Sequence, residues 1–289
     1  MNMSSGSIVV RRLKDRIPVP VKHNLKRAAT APLGMMAATR TNHILNVEGA
    51  RKFLVSAPRR SGHHAVVNWM MNSLEGVPVD WVAQSAITFS PSSSVVFVND
   101  LQERIDHLRH LEVARSAKAI EKAKAVILNV EDVDLSKWDS WRFALSDPDY
   151  KIYVNRAILD LVASRVRHAA KMHVDETLMK MLTTNREHLN SWTVIDFHRW
   201  LEPSGTHRRQ ILDELGLEVD IMPGTSPYGG GSSFTGVSRV PTAAELTHRH
   251  LQIEWTRSLI DLLLDRNYRD LLEPRELEFL QERSRRLRD

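Results

Sequence analysis

The chain has 289 residues, 42% of them hydrophobic and 26% charged, with a formal net charge of +5 and no cysteine. These totals allow a full hydrophobic core and point to anionic partners. They exclude disulfides, thiolate catalysis and Cys-ligated zinc.

Residues 1–48 carry Arg11, Arg12, Lys14, Arg16, Lys22, Lys26, Arg27 and Arg40 against a single acidic residue, Asp15, before Glu48. Pro18 and Pro20 interrupt any helix there. The stretch reads as a flexible basic arm; peripheral membrane attachment and an organellar transit peptide are the other roles open to it. No run of about 18 apolar residues exists, so a spanning helix is not expected. The early "SIVV" is cut short by Arg11 and Arg12, which argues against a signal-peptide core and for a cytoplasmic protein.

From Arg51 onward short apolar runs alternate with helical patterns. Strands are predicted at Phe53–Ala57, Val95–Asn99, Ala125–Val130, Lys151–Asn155 and Thr193–Phe197. Helices are predicted at Ala65–Leu74, Leu111–Lys122, Ile158–Met172 and Glu176–Leu189, with a short helix stopped by Gly216 and a long one over about 242–265. Strands that are apolar nearly throughout indicate an α/β fold, with a mainly parallel central sheet covered on both faces in three layers. The domain is expected over 49–270, followed at 271–289 by a basic amphipathic helical tail with a solvated face.

The first strand runs into Pro58-Arg59-Arg60-Ser61-Gly62-His63-His64 and then a helix. A helix N-terminus carries unpaired N–H groups and partial positive charge, glycine lets the backbone approach a ligand, and arginines add forked donors. The loop is therefore a candidate anion site. It is not a Walker A loop, because that spacing and its lysine are absent. A second strand ends at Asn155, with Arg156 at its edge and Ser164 eight residues later on the following helix. Arg156 and Ser164 together can hold another anion, one by a charged fork and the other by a hydroxyl.

At these two places the chain resembles the sulfotransferases that use 3′-phosphoadenosine 5′-phosphosulfate (PAPS). Pro58–Gly62 is similar to the family's Pro-Lys/Arg-Ser-Gly loop, which cradles the 5′ phosphosulfate. The run from Arg156 through Asp160 to Ser164 resembles its Arg-Asp-Pro-x-Asp-x-x-x-Ser segment, whose Arg and Ser grip the 3′-phosphate. The chain departs from the pattern in its extra arginine, in His63-His64 where hydroxyl residues are usual, and in Ala157-Ile158 where Asp-Pro is usual.

The resemblance implies a P-loop-type fold and a PAPS site built from Arg59, Arg60, Ser61, Gly62, His63, His64, Arg156 and Ser164. It adds a glycine-rich loop late in the chain, Gly229, Gly230, Gly231, Ser232 and Ser233, able to form an anion nest. Sulfuryl transfer to a hydroxyl or amine, with a carbohydrate as the acceptor class, needs no metal and no nucleic-acid partner. Arg60 is expected to meet the leaving group. His64 is a candidate base, and Asp100 and Glu131 stand at strand ends facing the same crevice. A small-molecule kinase and a nucleotide-binding relative without catalysis remain the alternatives. His107 and His110 share a helical face without a clear third metal ligand, His248 and His250 are read as exposed, and Trp69, Trp138, Trp141, Trp192 and Trp200 as mostly packing residues.

Overall fold

A computed structural model of the chain describes residues 41, 43–78, 87–99, 107–137, 145, 147–167, 173–222 and 247–287. The basic arm up to residue 40, Asp100 and the loop Gly229–Ser233 lie outside them. No helix among the described residues is long and apolar enough to cross a membrane.

Six strands form one sheet in the order β2-β3-β4-β1-β5-β6. They are β1 (Arg51–Ala57), β2 (Ile87–Phe89), β3 (Val95–Asn99), β4 (Ala125–Glu131), β5 (Tyr150–Asn155) and β6 (Thr193–Asp196). All pairings are parallel except β2 with β3. The central strands are buried along nearly their whole length, which is why they read as continuous apolar runs. β2 has only three residues and pairs along one edge, too little for a periodic signal.

Side chains alternate between two cores. Phe53, Val55 and Ala57 of β1 face α1 (His63–Glu75), with Trp69 and Met70 buried against them. Leu54 and the alternate residues of β3 and β4 face α2 (His107–Ile120) through Val113 and Ile120. Helices on both faces make the expected three-layer α/β/α arrangement. Trp69 and Trp200 are core residues, their rings edge-on at 6.0 Å. His110 is also buried, against Thr41, with Nδ1 2.8 Å from the threonine hydroxyl.

The helices after β6, α5 (Phe197–Trp200) and α6 (Thr206–Leu215), pack into the first core, and a third core joins α3 (Ile158–Val166) to α4 (Glu176–Glu187), α7 (Arg257–Leu263) and α8 (Pro274–Arg286). Two expectations are corrected here. In place of one long helix over 242–265, the described part of that stretch holds a 3-10 turn at Arg249–Gln252 and the short α7, which begins where the Thr256 hydroxyl accepts from Leu259 N–H. The tail helix α8 is not merely a solvated face. Leu280 is fully buried, and the Glu276 carboxylate accepts the backbone N–H of Leu159 at 2.9 Å. Ala157, the residue before α3, has no side chain able to cap that helix, so Glu276 supplies the acceptor from 117 residues away.

The order of the sheet fixes where a site can form. β1 lies between β4 and β5, so the chain turns back on either side of it and leaves a crevice at the carboxyl ends of these strands. The loop 58–62, residues Glu131 and Asp132, and Arg156 all lie at those ends.

Candidate anion-binding site

The β1–α1 loop is shaped by two left-handed residues, Arg60 (φ 75) and Gly62 (φ 94). Glycine is required at 62 for a second reason. A Cβ there would sit 2.3 Å from the Phe197 ring, which packs directly on the loop. Phe197 opens the short helix α5 (Phe197–Trp200) at the end of β6 and stacks on Trp200. Gly62 gives α1 no side-chain cap, so the helix presents its first N–H groups to the crevice.

Carboxylates from β4 tie this loop down. Arg59 donates through Nε to Glu131 at 2.8 Å and through its backbone N–H to Asp132 at 2.9 Å. Arg165 makes a forked pair with Asp132 at 2.8 and 3.1 Å and reaches the carbonyl of Arg59 at 3.4 Å. His63 is buried, with Nε2 2.7 Å from Glu131 Oε1 and Nδ1 3.3 Å from the Ser61 hydroxyl. His64 Nε2 lies 3.7 Å from the same carboxylate oxygen. Burial and the neighbouring His63 push the His64 imidazole down from 6.5 to about 3, so it is neutral at working pH. The Glu131 carboxyl is buried too, but the imidazoles and Arg59 hold it well below the usual range.

His63, His64 and Glu131 bring three ligand-type atoms within 4.8 Å of one another. Arg59 also pairs with Glu131, so an ion there would compete with a guanidinium for that carboxylate. The 2.7 Å contact is the length of a proton-mediated bond between imidazole and carboxylate.

Arg156 crosses from β5 to the loop. Its Nη1 donates to the carbonyl of Arg60 at 2.9 Å, and its guanidinium lies 5.3 Å from the Phe197 ring centre. Ser164 is fully buried, and its hydroxyl accepts from Arg249 Nη1 at 2.7 Å. Nothing in the sequence singles out Arg249, which stands within His248-Arg249-His250, a stretch that reads as an exposed helix. It is buried in a 3-10 turn, and His250 is half-buried against Asp160.

Arg60, Arg156 and Arg249 therefore converge. Burial pushes their guanidiniums down, Arg156 to about 9 and Arg249 to about 10. Repulsion adds to this, from Arg249 and Arg60 at Arg156, from Arg60 at Arg249 and from Arg165 at Arg60. Asp160 partly offsets it at Arg156 and Arg249, and Glu131 at Arg60. All three remain cations at neutral pH. Their gathering is electrostatically costly, and an anion bound among them would recover that cost. Beyond Ala157 a cavity of ~1000 Å³ opens, lined among others by Asp160, His198, His250, Glu276 and Phe279.

No protein-family model matches the chain, and no curated protein matches it. Among solved structures, that of the mouse sulfotransferase SULT7A1 complexed with PAP aligns with 86% of this chain and 86% of its own. The identity is 13% and the TM-score 0.37.

Proposed function

We propose that this chain is a PAPS-dependent sulfotransferase, moving a sulfuryl group to a hydroxyl or amine of a carbohydrate acceptor. The observation that carries the reading is the gathering of Arg60, Arg156 and Arg249 from three distant parts of the chain: Arg156 on the Arg60 carbonyl, Arg249 on Ser164, and the three guanidiniums within reach of one another's charge. A donor with phosphate at both the 3′ and 5′ positions of one ribose matches two adjoining cationic pockets. Arg156 and Arg249, with the Ser164 hydroxyl, would hold the 3′-phosphate. The loop N–H groups and Arg60 would hold the 5′ phosphosulfate. The adjoining cavity offers room for the rest of the nucleotide.

The reaction is an in-line displacement. The acceptor oxygen forms a bond to sulfur, the bond from sulfur to the bridging oxygen breaks, and its electron pair stays on the departing phosphate. Arg60 would stabilise that charge. As in phosphoryl transfer, a loose transition state demands positioning more than strong bases. The acceptor proton becomes acidic only as the new bond forms, so a weakly basic pair such as His64 and Glu131 can receive it. The kinase alternative needs a magnesium-binding hydroxyl after the glycine, where His63 stands bonded to Glu131.

Calorimetry with 3′-phosphoadenosine 5′-phosphate (PAP) in the absence of magnesium tests the reading. Binding is expected, without competition from ATP. Arg156→Ala should weaken PAP by roughly a hundredfold, in the range for truncating one partner of a buried charged contact, and affect AMP far less. Equal losses for both ligands would remove Arg156 from the 3′-phosphate.

A further inference from the structure

Asp160 sits on α3 midway between Arg156 and Ser164, with its side chain fully buried. Its Oδ1 accepts both the backbone N–H of His250 at 3.0 Å and that residue's Nδ1 at 2.6 Å. Its Oδ2 lies 3.1 Å from His198 Nε2, on α5. His250 directly follows Arg249. Its carbonyl accepts from Trp255 Nε1 at 2.8 Å, and its ring meets Phe279 of α8 edge-on at 5.2 Å. The turn Arg249–Gln252 is thus grasped at the residue beside Arg249, by a carboxylate that is itself braced from β6's end. Asp160 spends its hydrogen-bonding oxygen on the histidine, and its charge reaches the arginines only at longer range.

We propose that Asp160 is a positioning residue, holding the Arg249–Gln252 turn so that Arg249 enters the arginine cluster beside Ser164. The inference rests on reading that cluster as an anion site. A simple counter-ion and a positioning residue differ in sign. Removing a counter-ion takes negative charge away from the arginines and tightens anion binding. Removing a residue that places Arg249 loses a charged donor and weakens it.

The full chain, its Asp160→Ala variant and its Asp160→Asn variant are compared by calorimetry with inorganic phosphate, PAP and AMP. Hydrogen exchange at the His250 amide is followed in parallel. Asp160→Asn loses the charge but keeps an oxygen for that amide. The alanine variant is expected to lose about tenfold or more in affinity for phosphate and PAP, the scale of one charged hydrogen bond, and its His250 protection. The asparagine variant is expected to keep both. Undiminished binding by Asp160→Ala, or equal loss in the two variants, overturns the proposal, as does a wild-type chain that binds none of the three ligands. A wild-type chain that binds phosphate but does not prefer PAP to AMP sinks the nucleotide reading alone, and the alanine–asparagine contrast on phosphate then still decides the role of Asp160.

Discussion

The two ends of the arginine cluster are built by opposite means. At the β1–α1 end the backbone does the shaping: Arg60, Gly62 and nearby Asp132 all have positive φ. Charge there is matched pair by pair, Arg59 against Glu131 and Arg165, from α3, against Asp132. At the β5–α3 end no described residue from Asn155 to Arg167 has positive φ. That end is assembled by side chains from far along the chain: Arg249 on Ser164, His250 on Asp160, and Glu276 on Leu159. Both ends are tied to distant segments, but only the first also carries its own backbone constraint.

Four measurements can break or sharpen this contrast. Gly62→Ala should have the largest effect, lowering unfolding free energy by about 2–4 kcal/mol in denaturant titration. It combines a left-handed φ with a clash against Phe197. A loss under half a kcal/mol would show that the first end is not locally strained.

Glu276→Ala should come next, at about 1–3 kcal/mol, because the buried Leu159 N–H loses its acceptor. Amide exchange at Leu159 should speed up while exchange in α1 stays slow. Loss of protection in both helices would mean that the two ends are not independent.

Acid should act mainly on the first end. The folded His64 resists protonation, its value lowered from 6.5 to about 3, whereas the unfolded residue takes up a proton below 6.5. Stability therefore falls as pH drops through that window, by less than about 1.4 kcal/mol per pH unit. His64→Asn should flatten the dependence of unfolding free energy on pH between 6 and 4. An unchanged slope would place the acid sensitivity elsewhere.

Arg60→Gly should have the smallest effect on stability and the opposite sign. Relieving a left-handed non-glycine residue is expected to add about 1 kcal/mol, while PAP binding weakens. A destabilised variant would show that the Arg60 side chain contributes more to the fold than its backbone strain costs.

The same asymmetry governs what could be read in advance. Five strands, the helices that follow them and the loop 58–62 are local patterns, so periodicity and composition disclosed them. Arg156 and Ser164 were legible as a spacing. Their partners were not, because a pairing between Ser164 and Arg249 leaves no mark on either neighbourhood. Arg60 is singled out in the sequence by its place beside Ser61, but the separate attachments of the pair are not legible: Nε of Arg59 is bonded to Glu131, while the backbone carbonyl of Arg60 receives Arg156. That division depends on a strand more than 70 residues away. The acidic residue four after Arg156 was the one clue to the clamp on His250, and His248-Arg249-His250 the one clue to its other half.

The distant cap on α3 has a consequence for how the molecule comes into being. A ribosome that has added Leu159 must still polymerise 117 residues before that amide meets its acceptor. The α3 N-terminus is thus capped only after residue 276 has been made, and a single proteolytic nick ahead of Pro274 is expected to free Leu159 N–H from its acceptor.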